Sequence, residues 1–398
     1  MKHESISGSV KLTRVLTSAI GLAALAIPCA QAQTLNIVHN FTGGTDGGNP
    51  VDGLTMSTTG ILYGTASAGG ASGLGVVFKV NAKGEEKVVH SFAGGTDGAT
   101  PNGGVILGKH DALYGTTTAG GASGQGTVYK VEGSKESILY SFAGGTDGAD
   151  PQAGLAMDAA GNLYGTTAAG GPAGNGTVFK LTAPKTKNGP WTETVLYSFG
   201  AAPDGATPVG GVTLDASGNL YGTTSLGGAG YGTVFELVPG APWTETILHT
   251  FQDGTDGGTP YAGLIADGAG NLYGAATQGG TGGGGTTFEL SPSNGSWTFN
   301  VLTSEPGWGI SGTFRNVVFD GAGNIYGTTH CDGNNSAGTI YELTPSNGSW
   351  TYTLLYTFTG GNDGLYSISN LVLKNGQLYG TTIDGGANGA GVIYALTP

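Results

Sequence analysis

A histidine, a cysteine and an aspartate stand side by side at His330, Cys331 and Asp332. An imidazole next to a thiol and a carboxylate offers a general base, a nucleophile or a set of metal ligands. Just upstream, Glu305, Trp308 and Arg315 add an acid, a flat apolar ring and a guanidinium fork suited to carboxylate or sulfate. These types predict a ligand site made of Trp308, Arg315, His330, Asp332 and Glu305. Trp308 would stack on the ligand, Arg315 would grip an anionic group, and His330 would serve as a titratable donor or acceptor. A polysaccharide carrying uronic acids suits that set. The same His330 and Arg315 could serve a polysaccharide lyase or hydrolase as base and charge-neutralising cation, which is the catalytic alternative. No second histidine or tyrosine is brought to them by spacing, and no spaced Cys or His cluster is present, so no catalytic residue and no metal ligand is assigned.

These residues stand out because the rest of the chain is so regular. Leu-Tyr-Gly-Thr or a close variant recurs seven times, with its tyrosine at Tyr63, Tyr114, Tyr164, Tyr221, Tyr273, Tyr326 and Tyr379. In the six other copies His330 is matched by Ser67, Thr118, Ala168, Ser225, Thr277 and Ile383. Arg315 replaces Asp52, Gly103, Ala153, Gly210, Ala262 and Ser369, and Glu305 takes a slot that is otherwise phenylalanine. Repeats agree for structural reasons, so a copy that departs from them asks for a separate explanation. The departures predict either a site at the sixth copy or drift in one copy, with Glu305 pairing Arg315.

A repeat of about 50 residues filled with short apolar runs indicates a propeller or a solenoid. In the copy over 151–199, four runs separated by Gly, Asn and Asp read as strands: Gly154–Asp158, Leu163–Thr167, Gly176–Leu181 and Thr194–Phe199. The phase decides between the two architectures. Residues 35–41 match a fourth strand, whereas the last run, Gly391–Leu396, matches a third. The first run can therefore complete the last copy and close the ring without a free sheet edge. The expectation is an all-β, seven-bladed β-propeller of four-stranded blades over 33–398, closed by its N-terminal strand, with a β-solenoid as the alternative. The tyrosine row is read as core, its rings filling gaps between blades at Gly165 and its equivalents.

Leu-Tyr-Gly-Thr-Thr, a Gly-Gly loop and Gly-Thr-Val-Phe-Lys-Leu, preceded by Ser-Phe-x-Gly-Gly-Thr-Asp-Gly, resemble the GloVer tandem repeat across residues 35–398. That resemblance implies an exported or cell-surface repeat protein of the choice-of-anchor kind and supplies no activity. No anchor is recognisable after Leu396-Thr397-Pro398, which departs from that pattern. The strand pattern also looks like the NHL class of propellers, an analogy of fold alone.

Six loops of the repeat carry Asp46, Asp97, Asp147, Asp204, Asp256 and Asp363. A ring of carboxylates could gather Ca²⁺, but no loop has the ligand density of a dedicated calcium loop, and Asp-Gly is first of all a turn former. No cofactor is therefore expected. His39, His90 and His249 share a slot with Tyr140, Tyr197 and Tyr356 and read as structural.

Composition bounds the partners. Only 10% of residues are charged, 80 of 398 are glycine, and the formal net charge is −13, which disfavours nucleic acid and anionic membrane. Lys2, Lys11 and Arg14 precede an apolar run over 15–27, and Ala30-Gln31-Ala32 follows, the pattern of a signal peptide over 1–32 cleaved before Gln33. Ala26-Ile27-Pro28 is a poor lipobox for Cys29, so Cys331 would be the mature chain's one cysteine. The sequence thus predicts an exported, monomeric repeat protein (periplasmic, surface-bound or extracellular) without a membrane span. Its expected role is binding of a glycan or protein, with a carbohydrate-active enzyme or a purely structural repeat as alternatives.

Overall fold

The computed structural model describes residues 33–186, 189–306 and 312–398. The predicted signal peptide and Trp308 lie outside the described residues. Residues 33–398 form one compact unit. It holds seven four-stranded antiparallel sheets, one per sequence repeat, arranged as the blades of a β-propeller. In the third blade the strands run Ala156–Met157, Leu163–Thr167, Thr177–Thr182 and Thr192–Ser198 from the axis outward. The innermost strand is shorter than the predicted Gly154–Asp158 because only Ala156 and Met157 ladder onto the second strand. Ala153, Gly154 and Leu155 instead line the central channel. Among the described residues helix is confined to three short 3₁₀ turns, and no helix is long and apolar enough to cross a membrane.

The closure predicted from the phase of the repeat is present. Blade seven takes Val372–Lys374, Gln377–Thr382 and Val392–Leu396 from the C-terminal part of the chain and Leu35–Asn40 from the N-terminal part. The closing strand pairs antiparallel, from Leu35 opposite Leu396 to Asn40 opposite Val392.

Three recurring contacts convert the repeat into a ring. In the Leu-Tyr-Gly-Thr strand, glycine is required because a third-strand aromatic lies on it. A Cβ at Gly222 would meet the Phe235 ring at 2.5 Å, and one at Gly165 the Phe179 ring at 2.7 Å. The ring over the glycine therefore belongs to the cross-strand partner, which corrects the expectation that the tyrosine row fills this space. The tyrosine rings are nonetheless largely buried, and Tyr164 turns its hydroxyl to Asp158 at 3.1 Å.

The second contact joins blades. A bulge interrupts the pairing of third and fourth strands in every blade, as between Val178 and Phe179. A bulge skips one residue and turns the strand locally. Beyond it, Phe41, Phe92, Phe142, Phe199, Phe251 and Phe358 each meet the third-strand aromatic of the next blade, with centroids 5.0–5.4 Å apart at steep angles. Such pairs contribute about 0.5–1.5 kcal/mol beyond the area they bury. Six of the seven interfaces are built this way, and the exception lies between blades five and six, where Glu305 stands in the phenylalanine slot.

The third contact uses the threonine of the repeat. Thr65, Thr116, Thr166, Thr223 and Thr381 donate their hydroxyls to the backbone carbonyls of Gly103, Ala153, Gly210, Ala262 and Asp52 in the next blade. Blade five has Ala275 at this position, and the buried Thr328 hydroxyl of blade six has no partner. Both interfaces of blade six therefore lack the threonine link.

Candidate functional site

The chain enters each blade through a position just before the innermost strand, and these seven positions ring the mouth of the channel. They are Val51, Asn102, Gln152, Val209, Tyr261, Phe314 and Ile368, and with Arg315 they line a cup of about 220 Å³. Below it the channel encloses about 170 Å³, walled largely by the backbone of paired small residues such as Gly210 and Gly211. Five blades fix this entry with a proline: Pro50, Pro101, Pro151, Pro208 and Pro260. Blades six and seven have Thr313 and Ser367 instead, and each of these hydroxyls bonds a third-strand tyrosine, Tyr341 at 3.0 Å and Tyr394 at 2.9 Å. The loss of proline and the gain of a buried phenol hydroxyl thus compensate each other.

Arg315 sits in the channel wall, one layer below Phe314. Its Nε and Nη2 donate to the Val51 carbonyl at 3.3 and 2.8 Å, and its Nε lies 3.6 Å from Asp52 Oδ1. Asp52 is itself buried and accepts from Asn370 Nδ2 at 2.7 Å and from the Gly53 and Gly104 amides. Asn370 Oδ1 in turn accepts from the Asn316 amide at 2.8 Å. A polar strut therefore crosses from blade six to blades seven, one and two. The expectation that Glu305 would pair Arg315 fails: Asp52 holds that role, from the other side of the ring closure.

Glu305 is buried, 1% exposed, at the interface of blades five and six. One carboxyl oxygen accepts from Thr287 Oγ1 at 3.0 Å, and Thr287 also contacts the Tyr341 hydroxyl at 2.8 Å. The other oxygen, Oε2, is buried without a hydrogen-bond partner. Burial pushes the Glu305 carboxyl up to about 8, with the charge of Asp332 acting the same way. This group faces the protein interior, away from the cup.

His330 lies on the rim between two aromatic rings. Its centroid is 4.6 Å from Tyr366, stacked at 29°, and 4.9 Å from Phe314, which continues to Tyr261 at 5.3 Å. Tyr366 holds φ at 63°, a left-handed conformation that its counterparts fill with Asn49, Thr100, Asp150, Thr207 and Thr259. For a bulky residue that is an outlier, and such strain collects at functional positions. His330 Nδ1 is 2.8 Å from Cys331 Sγ, closer than adjacent residues on a strand allow. Burial lowers the imidazole, opposed by Asp384, and raises the thiol, so both groups are held neutral. Asp332 accepts from the Gly333 amide at 2.7 Å, and burial raises its carboxyl as well.

The structure therefore divides the predicted set. Arg315 lines the cup, whereas His330 does not and packs on Phe314, which does; Asp332 lies in the loop beside His330; Glu305 is interior. Tyr261, Phe314, Asn102 and Gln152 are the mouth residues missing from the predicted set. Their one signal in the sequence is position: Asn102, Gln152 and Tyr261 each follow the proline of their repeat, and Phe314 takes the same place after Thr313.

The six loop aspartates turn inward to their own strands. Asp204 accepts from the Gly200 amide at 2.6 Å and the Tyr197 hydroxyl at 2.9 Å, and Asp363 from Thr359 and Tyr356 in the same way. Each accepts the backbone amide four residues back and so closes the loop that leads to the mouth.

A family model described as the Gloeobacter/Verrucomicrobia repeat matches residues 26–230 and 211–398. Among curated proteins nothing matches the chain. Several solved structures share the fold. A candidate 6-phosphogluconolactonase from Bacteroides uniformis superposes with a TM-score of 0.51 at 17% identity, covering 80% of this chain and 88% of that one. A protein from Lactobacillus plantarum gives 0.53 at 15% identity, covering 81% and 88%. The extracellular domain of a candidate one-component system from B. thetaiotaomicron gives 0.55 at 10% identity, covering 87% of this chain and 38% of that one. At these identities the likeness is one of fold.

Proposed function

The chain belongs to the Gloeobacter/Verrucomicrobia repeat family, and from its mouth geometry we propose that it is an exported binding module for a glycan end. The observation that carries this reading is the two-sided cup. Tyr261 and Phe314 offer apolar ring faces from blades five and six. Asn102 and Gln152 offer amides from blades two and three, across the ring. A sugar ring has one apolar face and an edge of hydroxyls, and matches such a cup. The volume suits a single sugar residue at the mouth, and the Arg315 guanidinium at the cup floor is already paired with Asp52, so the reading does not require an acidic sugar.

Binding is supported over turnover by the state of the titratable groups. Catalysis at this mouth would need an acid or base poised near neutral pH within reach of the ligand. His330 has no carboxylate within hydrogen-bond distance among the described residues, and Arg315 is engaged by Asp52 and Val51. Export is supported by the basic, apolar and small-residue succession over 1–32.

The test is a calorimetric screen of acidic and neutral oligosaccharides against the mature chain and its Tyr261→Ala, Phe314→Ala variant. Both truncations remove the Tyr261–Phe314 ring contact at the mouth but leave the buried phenylalanine and threonine links between blades in place, and folding is checked by melting. The proposal expects at least one glycan whose affinity falls tenfold or more in the variant, with no new reducing ends or unsaturated products. Equal affinity in both proteins, or no binding across the panel, overturns it, and product formation would make the protein an enzyme instead.

A further inference from the structure

The rim of the ring carries chemistry that the mouth does not use. The outer strand of blade one, Glu86–Ser91, presents His90, and the turn that follows presents Asp97. The outer strand of blade two, Lys135–Ser141, presents Glu136 against them. One ligand atom from each of the three residues lies within 4.8 Å of the others. His90 Nε2 and Asp97 Oδ2 are 3.3 Å apart. The two atoms share a hydrogen bond, and a tetrahedral ion with bonds of about 2.0 Å sets its ligand atoms roughly 3.3 Å apart, so an ion could replace that proton without moving them. Both partners are held in place. His90 packs edge-on against Phe92 at 4.8 Å, and Asp97 accepts the Ala93 amide at 2.6 Å. Glu136 Oε1 is buried and has no hydrogen-bond partner, a property its counterparts Glu86, Glu193 and Glu245 share, so the imidazole is what sets this cluster apart from the interfaces with tyrosine. A carboxylate oxygen withdrawn from water beside a second carboxylate calls for a cation or a proton.

The other interfaces act as internal controls. Between blades seven and one, His39, Asp46 and Glu86 repeat the set at a wider 3.6 Å, and both His39 Nε2 and Glu86 Oε1 are buried without a hydrogen bond. At the next two interfaces tyrosine replaces the histidine. There the phenols of Tyr140 and Tyr197 donate to Asp147 and Asp204 at 2.6 and 2.9 Å, and the nitrogen ligand is gone. Between blades four and five the histidine returns, but Phe299 stands in the glutamate slot and stacks on His249 at 3.7 Å. The full set thus occurs at two consecutive interfaces, one of them the closing interface.

We propose that His90, Asp97 and Glu136 form a site for a divalent transition-metal ion of the zinc class, with His39, Asp46 and Glu86 as a weaker second copy. Each ion would bridge two blades at the outer rim, with water in the fourth position. An imidazole nitrogen among three close ligands selects zinc-like ions over calcium, which takes six to eight oxygens. The set was invisible to sequence spacing because its ligands come from two repeats.

The experiment is a calorimetric titration of the untagged, chelator-stripped mature chain with Co²⁺ and Zn²⁺, with Co²⁺ also followed by its visible absorption. Variants are His90→Tyr, His39→Tyr, Glu136→Gln and His249→Tyr. Tyrosine already occupies the histidine slot at other interfaces, so folding is preserved and can be checked by melting in chelator. The wild type is expected to bind two ions. His90→Tyr removes the tighter one, His39→Tyr removes the weaker one, and Glu136→Gln weakens the tighter one at least tenfold. His249→Tyr changes nothing, and Zn²⁺ raises the melting temperature of the wild type but not of the His39→Tyr, His90→Tyr double variant. Absence of stoichiometric binding, binding that survives in the double variant, or preference for Ca²⁺ over Co²⁺ overturns the proposal.

Discussion

Replacing Glu305 by glutamine isolates the cost of placing an acid where six other interfaces place a phenylalanine. The carboxyl is shifted from an ordinary 4.5 up to about 8 by burial. The groups that face it are the Thr287 hydroxyl, the phenols of Tyr341 and Tyr352, and the Asp332 carboxylate, with no cation among them. In the folded chain the proton stays on until about pH 8, whereas in the unfolded chain it leaves near pH 4.5. Between those values the native state binds more protons than the unfolded state, so stability falls as pH rises. The slope is about 1.4 kcal/mol per pH unit, and the loss by pH 8 is on the order of 5 kcal/mol. Below pH 4.5 both states are protonated and the effect vanishes. Glu86, Glu136, Glu193 and Glu245 are each raised to about 7 and slope the same way. They are unchanged in Glu305→Gln, so the difference between the two proteins reports Glu305 alone. The assay is chemical denaturation of wild type and variant from pH 4 to 9. The wild type should lose stability relative to the variant across pH 5 to 8 and then run parallel to it. Parallel curves over the whole range would refute the reasoning, because they would show that Glu305 reaches solvent or a cation when it ionises.

Two further outcomes follow from the contacts between blades. Thr223→Val removes the bond to the Ala262 carbonyl and leaves that acceptor unpaired, which should cost about 1–2 kcal/mol. Thr328→Val removes a buried hydroxyl that has no partner, so it should change stability by less than about 0.5 kcal/mol or raise it; equal losses at the two sites in denaturation would contradict the threonine link. Removing residues 33–40 strips the outer strand from blade seven and leaves Val392–Leu396 as an open edge. The expected result is a lowered unfolding midpoint and self-association on size exclusion, and an unchanged midpoint would refute closure by that strand.

The ring was legible because its evidence is periodic. Seven tyrosines at near-equal spacing set the number of blades, and the match of residues 35–41 to a fourth strand set the closure. The energetics between blades were less legible. The bulge before Phe199 leaves no trace in residue type, and the pairing of Phe199 with Phe235 joins residues of different repeats. The departures of the sixth repeat at Arg315, His330 and Glu305 were visible, but their directions were not. Arg315 turns to Asp52, whose place beside it exists only after the ring closes. Glu305 turns inward because the strand that carries it keeps the register of the phenylalanine it replaces. Phe314 and Tyr261 escaped because an aromatic residue in a β-protein reads as core, and only the assembled ring shows that this column faces the axis.

The closing pair in blade seven has a mechanical consequence. Leu35 pairs with Leu396 at the end of the two strands remote from the mouth, and the pairing runs on to Asn40 and Val392 on the mouth side. Tension applied between residues 35 and 396 would load these strands from one end. They would peel apart one rung at a time, as in a zipper, and not shear along their whole length. Thermal opening must break these rungs together, whereas a pull on the two ends breaks them in turn. A tether joined at either end would hold the molecule by the face opposite the cup and leave the mouth turned outward.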